Sequence, residues 1–337
     1  LPHIINAVYL FFRFKLMQIL IYGGGAVGLG LASFLIKGKA QVDILARKNT
    51  AEALCSKGLI RTGIFGDFSV KPDEFGCYEK LGQIKQKTYD YILVCTKSFD
   101  SSKAAENLSK HKNLMNPQAI IVLFQNGWGN AENFLPFFEN QKIYSARVIT
   151  GFHRAKDNVV DITVHADAIH IGSLFCSDVS KVQSLCKLIS EGGLPCQTTE
   201  AIEKDLWAKM LYNCALNPLG AILDVPYGTL AQHRTTRVIM DEIITEIFEI
   251  LQVSGYKTHW QKPDDFLKVF YERLVPDTAK HKSSTLQDIT AKKKTEIDSL
   301  NGSVIELAEK HKIAVPYNRT IYNLVKFLES QNQNNSS

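Results

Sequence analysis

QILIYGGGAVGLGLASFLIK, residues 18–37, admits few folds. A short apolar run ends in three glycines and passes at once into a helical pattern, so strand must give way to helix through a tight turn. Gly23, Gly25 and Gly28 fit Gly-x-Gly-x-x-Gly. There the first glycine permits the turn, the second lets a pyrophosphate approach the backbone, and the third lets the helix pack on the strand. The phosphates would meet the N–H groups of Ala26, Val27 and Gly28 at the helix start, where the dipole favours anions. Glycine also serves purely structural βα turns, and placement argues against that here: the loop opens a βαβ unit.

The rest of the chain supports this. QVDILARK (41–48), YDYILVCTKS (89–98) and AIIVLFQNG (119–127) are further apolar strands ending in polar residues. Helical stretches are expected near 99–112 and 129–139, which gives a parallel sheet covered on both faces. Residues 58–72 read as a hairpin insertion. Residues 142–175 are strand-like and a helix follows near 178–192. Beyond Glu200 the pattern is helical, over 200–222, 232–254, 262–274 and 286–312, with a last helix after Pro316. The expected division is an N-terminal extension (1–16), an α/β Rossmann-type dinucleotide-binding domain (17–199), an all-α domain (200–328) and a disordered tail (329–337).

Composition narrows the function classes. The 337 residues carry a net charge of +5, with 45% hydrophobic and 22% charged residues, ordinary for a globular protein. The densest basic run, Lys292 to Lys294, is followed by Glu296 and Asp298 and reads as a solvated helix face, not a nucleic-acid groove. Seven cysteines without a Cys-x-x-Cys pair suit reduced core thiols in a cytoplasmic protein. The apolar run within residues 1–16 is too short to span a bilayer and lacks signal-peptide features. Neither nucleic acid, membrane nor metal is an expected partner; a monomer or homodimer acting on a small molecule is.

The strand ends indicate which small molecules. An acidic residue closing the second strand would bind the ribose 2′-hydroxyl of NAD; Arg47 and Lys48 stand there instead. A guanidinium suits a 2′-phosphate, so NADPH is the expected cofactor, a solvated Arg-Lys turn being the alternative. Lys97 and Asn126 follow the next two strands, where a nicotinamide or substrate would lie, and loop capping competes for both. Further on, Lys209, Asn213 and Asn217 recur every four residues, spanning roughly 80° of a helix face that Leu206 and Leu216 make partly apolar. Pro218 cannot donate to the Cys214 carbonyl, so a kink is expected one residue past Asn217. A snorkelling lysine is the bland reading of Lys209.

These pieces together resemble the ketopantoate reductases (2-dehydropantoate 2-reductases). The similarity runs from Met17 to about residue 325 through GGGAVG, VCTKS, FQNG, KMLYNCALNPLGAIL, SSTLQDITAKKKTEIDSLNG and VPYNRTIYNLV. It implies a Rossmann-type domain followed by a helical domain like that of 6-phosphogluconate dehydrogenase. It also implies NADPH-dependent reduction of 2-dehydropantoate to (R)-pantoate, a step towards pantothenate and coenzyme A. By the resemblance Lys209 is the catalytic lysine, and Glu296 the acidic residue that meets substrate near it. Asn213 and Asn217 are substrate-contacting asparagines, and Ser284 holds the substrate carboxylate. Asn126 and Lys97 line the nicotinamide side. Thr285 stands where methionine is commoner, and Thr96 and Ser98 where the family is more apolar, which leaves substrate size open. Two alternatives remain: the same chemistry on another branched 2-oxo acid, and a non-catalytic NADPH-binding sensor.

Overall fold

The computed structural model describes residues 16–334. Residues 1–15 of the expected extension and 335–337 of the expected tail lie outside them.

The chain opens with β1 (Gln18–Tyr22), α1 (Ala26–Lys37), β2 (Gln41–Leu45) and α2 (Lys48–Lys57). β3 (Leu59–Gly63), β4 (Phe68–Val70), β5 (Gly76–Tyr78), β6 (Tyr89–Val94), α3 (Ser101–Ser109) and β7 (Met115–Leu123) follow. Two long strands, β8 (Ile143–Lys156) and β9 (Val159–Gly172), precede α4 (Gln183–Glu191) and β10 (Cys196–Thr198). They form one sheet in the order β4-β3-β9-β8-β7-β6-β1-β2-β5, with β10 beside β9. Among the described residues only β3–β4 and β8–β9 pair antiparallel. The first is the hairpin at 58–72.

Strand β1 shows why its residues are apolar without alternation. Ile19 and Ile21 enter the core beneath α1 and α4, while Leu20 and Tyr22 enter a second core on the opposite face. With both faces covered, every strand position has an apolar neighbour.

The helical part comprises α5 (Ile202–Leu223), α6 (Tyr227–Gln232), α7 (Arg234–Ser254), α8 (Pro263–Val269), α9 (Val275–Asp277), α10 (Ser284–Thr290), α11 (Asn301–His311) and α12 (Pro316–Asn334). A third core joins α5, α7, α11 and α12 around the fully buried Trp207. Among the described residues no helix is long and apolar enough to cross a membrane.

Three sequence expectations need correction. Residues 129–139 hold only a 3-10 turn, Ala131–Asn133. Gly127 and Gly129 adopt left-handed backbone, Pro136 interrupts the ladder, and Phe134 and Phe138 plug the sheet core. The helix expected over 286–312 is broken: α10 stops at Thr290, Lys292 takes a left-handed conformation (φ 53°), and helix resumes at Asn301. Glu329 causes much of this break by accepting both the Thr295 N–H and Oγ1 at 2.7 Å. Finally, the tail expected to be disordered from 329 is helical through Asn334, and Glu329 itself is buried.

Candidate active site

The glycine loop is dictated by contact distances. Gly23 has φ +120°, and a Cβ there would lie 2.8 Å from the Thr96 backbone nitrogen. A Cβ on Gly28 would lie 2.0 Å from the Gly23 oxygen. A side chain at Gly23 would force the loop off the end of β6, and one at Gly28 would force α1 off the loop itself. At Gly25, the N-cap of α1, the nearest atom to an added Cβ is the Cys95 oxygen at 3.8 Å. No side chain caps this helix. The N–H groups of Ala26, Val27 and Gly28 therefore face an open approach, which fits a dinucleotide pyrophosphate.

Arg47 closes β2 as the N-cap of α2. Its side chain is 91% exposed and reaches only Asp100, at 3.7 Å, so the guanidinium fork is open to a ligand. A second guanidinium, Arg154 on β8, donates to Thr50 in the first turn of α2 at 3.2 Å.

The strand ends β6 and β7 meet the helical part through one polar network. Lys97 Nζ contacts Asp288 Oδ2 at 2.7 Å and Glu296 Oε2 at 3.4 Å. Burial works against its charge, but Glu296 and Asp288 outweigh burial and raise the Lys97 pKa. Glu296 Oε1 accepts the Ser98 N–H at 3.0 Å, and Oε2 accepts Asn126 Nδ2 at 3.2 Å. Asn126 Oδ1 in turn accepts Lys209 Nζ at 2.7 Å. One asparagine thus links the half-buried lysine of α5 to the buried carboxylate of the 291–300 segment. Burial pushes the Lys209 pKa down to about 8; nearby Glu296 opposes this and Arg147 adds to it.

Asn213 and Asn217 continue the same face of α5 and are both buried. Asn217 Oδ1 accepts the Tyr227 hydroxyl at 2.5 Å, so part of this amide is already engaged. Ser283 caps α10, accepting the Leu286 N–H at 3.0 Å and donating to the Asn217 carbonyl at 2.9 Å. That bond pins the start of α10, and hence half-buried Ser284, against the far end of the Lys209 face. Lys97, Asn126, Lys209 and Glu296 are joined directly, whereas Asn213 and Asn217 extend along α5 and Ser284 opens α10. Glu296 stands on a loop, not a helix, and its carboxylate turns to Ser98, Asn126 and Lys97.

Two sequence profiles match the chain: "Ketopantoate reductase PanE/ApbA" over residues 19–174 and "Ketopantoate reductase PanE/ApbA C terminal" over residues 201–329. The chain belongs to the ketopantoate reductase family. A 2-dehydropantoate 2-reductase of Aquifex aeolicus (strain VF5) is 34% identical over 314 residues, covering 93% of this chain and 97% of that one. A PanE/ApbA family ketopantoate reductase from Ralstonia eutropha JMP134 superposes with TM-score 0.81 at 27% identity, over 94% of this chain and all of that one. D-mandelate dehydrogenase with NADH and anilino(oxo)acetate shares the fold at TM-score 0.83 and 20% identity, over 94% of this chain and all of that one. As a ketopantoate reductase family member the chain uses a nicotinamide dinucleotide.

Sequence reading missed several residues around this candidate site. Asp288 shares Lys97 with Glu296. Asp205, one turn before Lys209, binds His170 of β9 at 2.8 Å and His259 at 2.7 Å, tying α5 to the sheet. Asn301, wholly buried, donates to the Cys214 carbonyl at 3.2 Å, the acceptor that Pro218 leaves without its helical N–H. Only that last one had a signal: a proline inside an amphipathic helix implies a carbonyl in need of a donor.

Proposed function

We propose that the protein reduces 2-dehydropantoate to (R)-pantoate with NADPH, with Lys209 as proton donor. Family membership gives the reaction class, and the Lys209–Asn126–Glu296 contact carries the assignment of roles. The bound cofactor supplies a hydride to the C2 carbonyl carbon, and everything else falls to the chain. As the π pair moves onto the carbonyl oxygen, negative charge grows there. A fixed ammonium stabilises that charge more than it stabilises the ground state, then transfers its proton to the oxygen. Proton donation by a placed group contributes about 10²–10⁴-fold. Lys209, with its pKa near 8, holds a proton at neutral pH and releases it more readily than an exposed lysine. Asn126 fixes where that ammonium points.

Asn213 and the remaining amide of Asn217 bind hydroxyl or carboxylate oxygens without adding charge. Ser284, at the start of α10, takes the substrate carboxylate. Glu296 keeps Lys209 charged and anchors the Asn126 amide. On the cofactor side, Gly23, Gly25, Ala26, Val27 and Gly28 hold the pyrophosphate. Arg47 takes the 2′-phosphate, and Lys97 and Asn126 border the nicotinamide. Residues 17–199 then form the cofactor domain, and the chain from 200 onward the substrate domain.

Oxidation of NADPH is measured over a panel of 2-oxo acids, with NADH alongside. The reading expects 2-dehydropantoate with NADPH to give the highest kcat/KM. Ketopantoate carries a terminal hydroxyl that 2-oxoisovalerate lacks, and a site built to bond it rejects the analogue strongly. A preference for 2-oxoisovalerate would reassign the substrate to another branched 2-oxo acid. NADPH binding with no oxidation by any 2-oxo acid would make the chain a sensor.

A further inference from the structure

The basic run Lys292–Lys294 plays no part in the reaction, and it does not lie on a helix face. The break after α10 turns these lysines towards Lys326 of α12, around a surface cavity of about 230 Å³ that Glu329 and Asn332 complete. Lys294 and Lys326 share Asp298, each at 3.3 Å, and Lys326 also meets Glu329 at 3.0 Å. Among the described residues no ion pair holds Lys292 or Lys293. Four ammonium groups thus face two carboxylates, leaving two positive charges.

We propose that this cavity binds a phosphate group. The excess charge matches a phosphate monoester, which carries about −1.5 to −2 at neutral pH. Lysine ammonium groups suit it as mobile point charges that converge without fixed geometry. The volume admits the group with part of its hydration. The backbone that carries these flexible side chains is held in place. Lys292 has left-handed backbone, Thr295 is clamped to Glu329 through its N–H and hydroxyl, and Thr295 directly precedes Glu296. The cavity therefore lies on the outer side of the segment that carries the active-site carboxylate. It is separate from the dinucleotide loop, where the phosphate-binding groups are helix N–H groups and Arg47.

Isothermal titration of the intact protein with inorganic phosphate and with glycerol 3-phosphate tests this, using the wild type, Lys292→Ser/Lys293→Ser and, as a control lysine elsewhere on the surface, Lys187→Ser. Wild type and Lys187→Ser are expected to bind alike, and the double lysine variant at least about fivefold more weakly, the loss of two exposed charge contacts. Tighter binding of glycerol 3-phosphate identifies a phosphorylated metabolite as the natural occupant, and equal binding identifies free phosphate. Unchanged binding in the double lysine variant, or an equal loss in Lys187→Ser, overturns the proposal. So does an absence of binding by either anion. No arm depends on turnover, so the outcome is independent of the substrate assignment.

Discussion

Pro218 and Asn301 form a pair whose coupling can be calculated. Pro218 removes the N–H that would bond the Cys214 carbonyl, and Asn301 Nδ2 supplies a substitute at 3.2 Å. The same amide bonds Asn318 Oδ1 at 2.9 Å, and Asn318 in turn bonds Glu246 at 2.8 Å. Asn301→Ala therefore strips donors from two buried acceptors. An orphaned buried acceptor costs about 1–3 kcal/mol. Asn301 Oδ1 is itself unpartnered, so its removal returns part of that. A net loss of roughly 2–4 kcal/mol follows, which at roughly 2–4 °C per kcal/mol lowers Tm by about 4–16 °C. In the Pro218→Ala background a backbone N–H is again available to Cys214, so one of the two acceptors keeps its donor. Asn301→Ala should then cost roughly 1–2 kcal/mol less. Thermal melts of the wild type, both single variants and the double variant, followed by circular dichroism, measure the cycle. Additivity within about 0.5 kcal/mol would refute the claim that Asn301 replaces the bond Pro218 removes.

Three further predictions concern the site itself. Lys209 must be protonated to act and its pKa lies near 8, so kcat/KM should hold below that pH and fall about tenfold per unit above it. Glu296→Gln removes the carboxylate that raises this pKa, so the basic limb should move to lower pH; an unmoved or rising limb in the pH profile sinks the electrostatic reading. Arg47→Ser should raise the KM for NADPH about 10–100-fold, the loss of a charge-assisted contact, while leaving NADH nearly unchanged. Equal effects on both cofactors would remove Arg47 from the 2′-phosphate.

Features written in short spacings were legible from sequence. The glycine loop follows from its place between an apolar strand and a helix, and the Lys209 face follows from a repeat of four. What could not be read depends on partners distant along the chain. Asn301 meets Cys214 across 87 positions, and Lys97 meets Asp288 across 191. The segment around Glu296 is expected from its sequence to continue the helix over 286–312. Helix yields there because Glu329, 34 residues on, captures the Thr295 N–H and hydroxyl. The loss is local: the Glu296 side chain still reaches Asn126 and Ser98, from a loop instead of a helix. The apolar sequence of 129–139 failed for a similar reason, since Phe134 and Phe138 are held by the sheet they cover and not by a helical ladder.

The role of Lys209 is most directly tested by the turnover of Lys209→Ala with saturating NADPH and 2-dehydropantoate, with NADPH affinity measured on the same preparation. The account predicts a fall in kcat of at least about two orders of magnitude with NADPH affinity within about twofold of the wild type. Near-normal turnover would contradict it and leave Lys209 as a half-buried lysine bonded to Asn126 without a part in the chemistry.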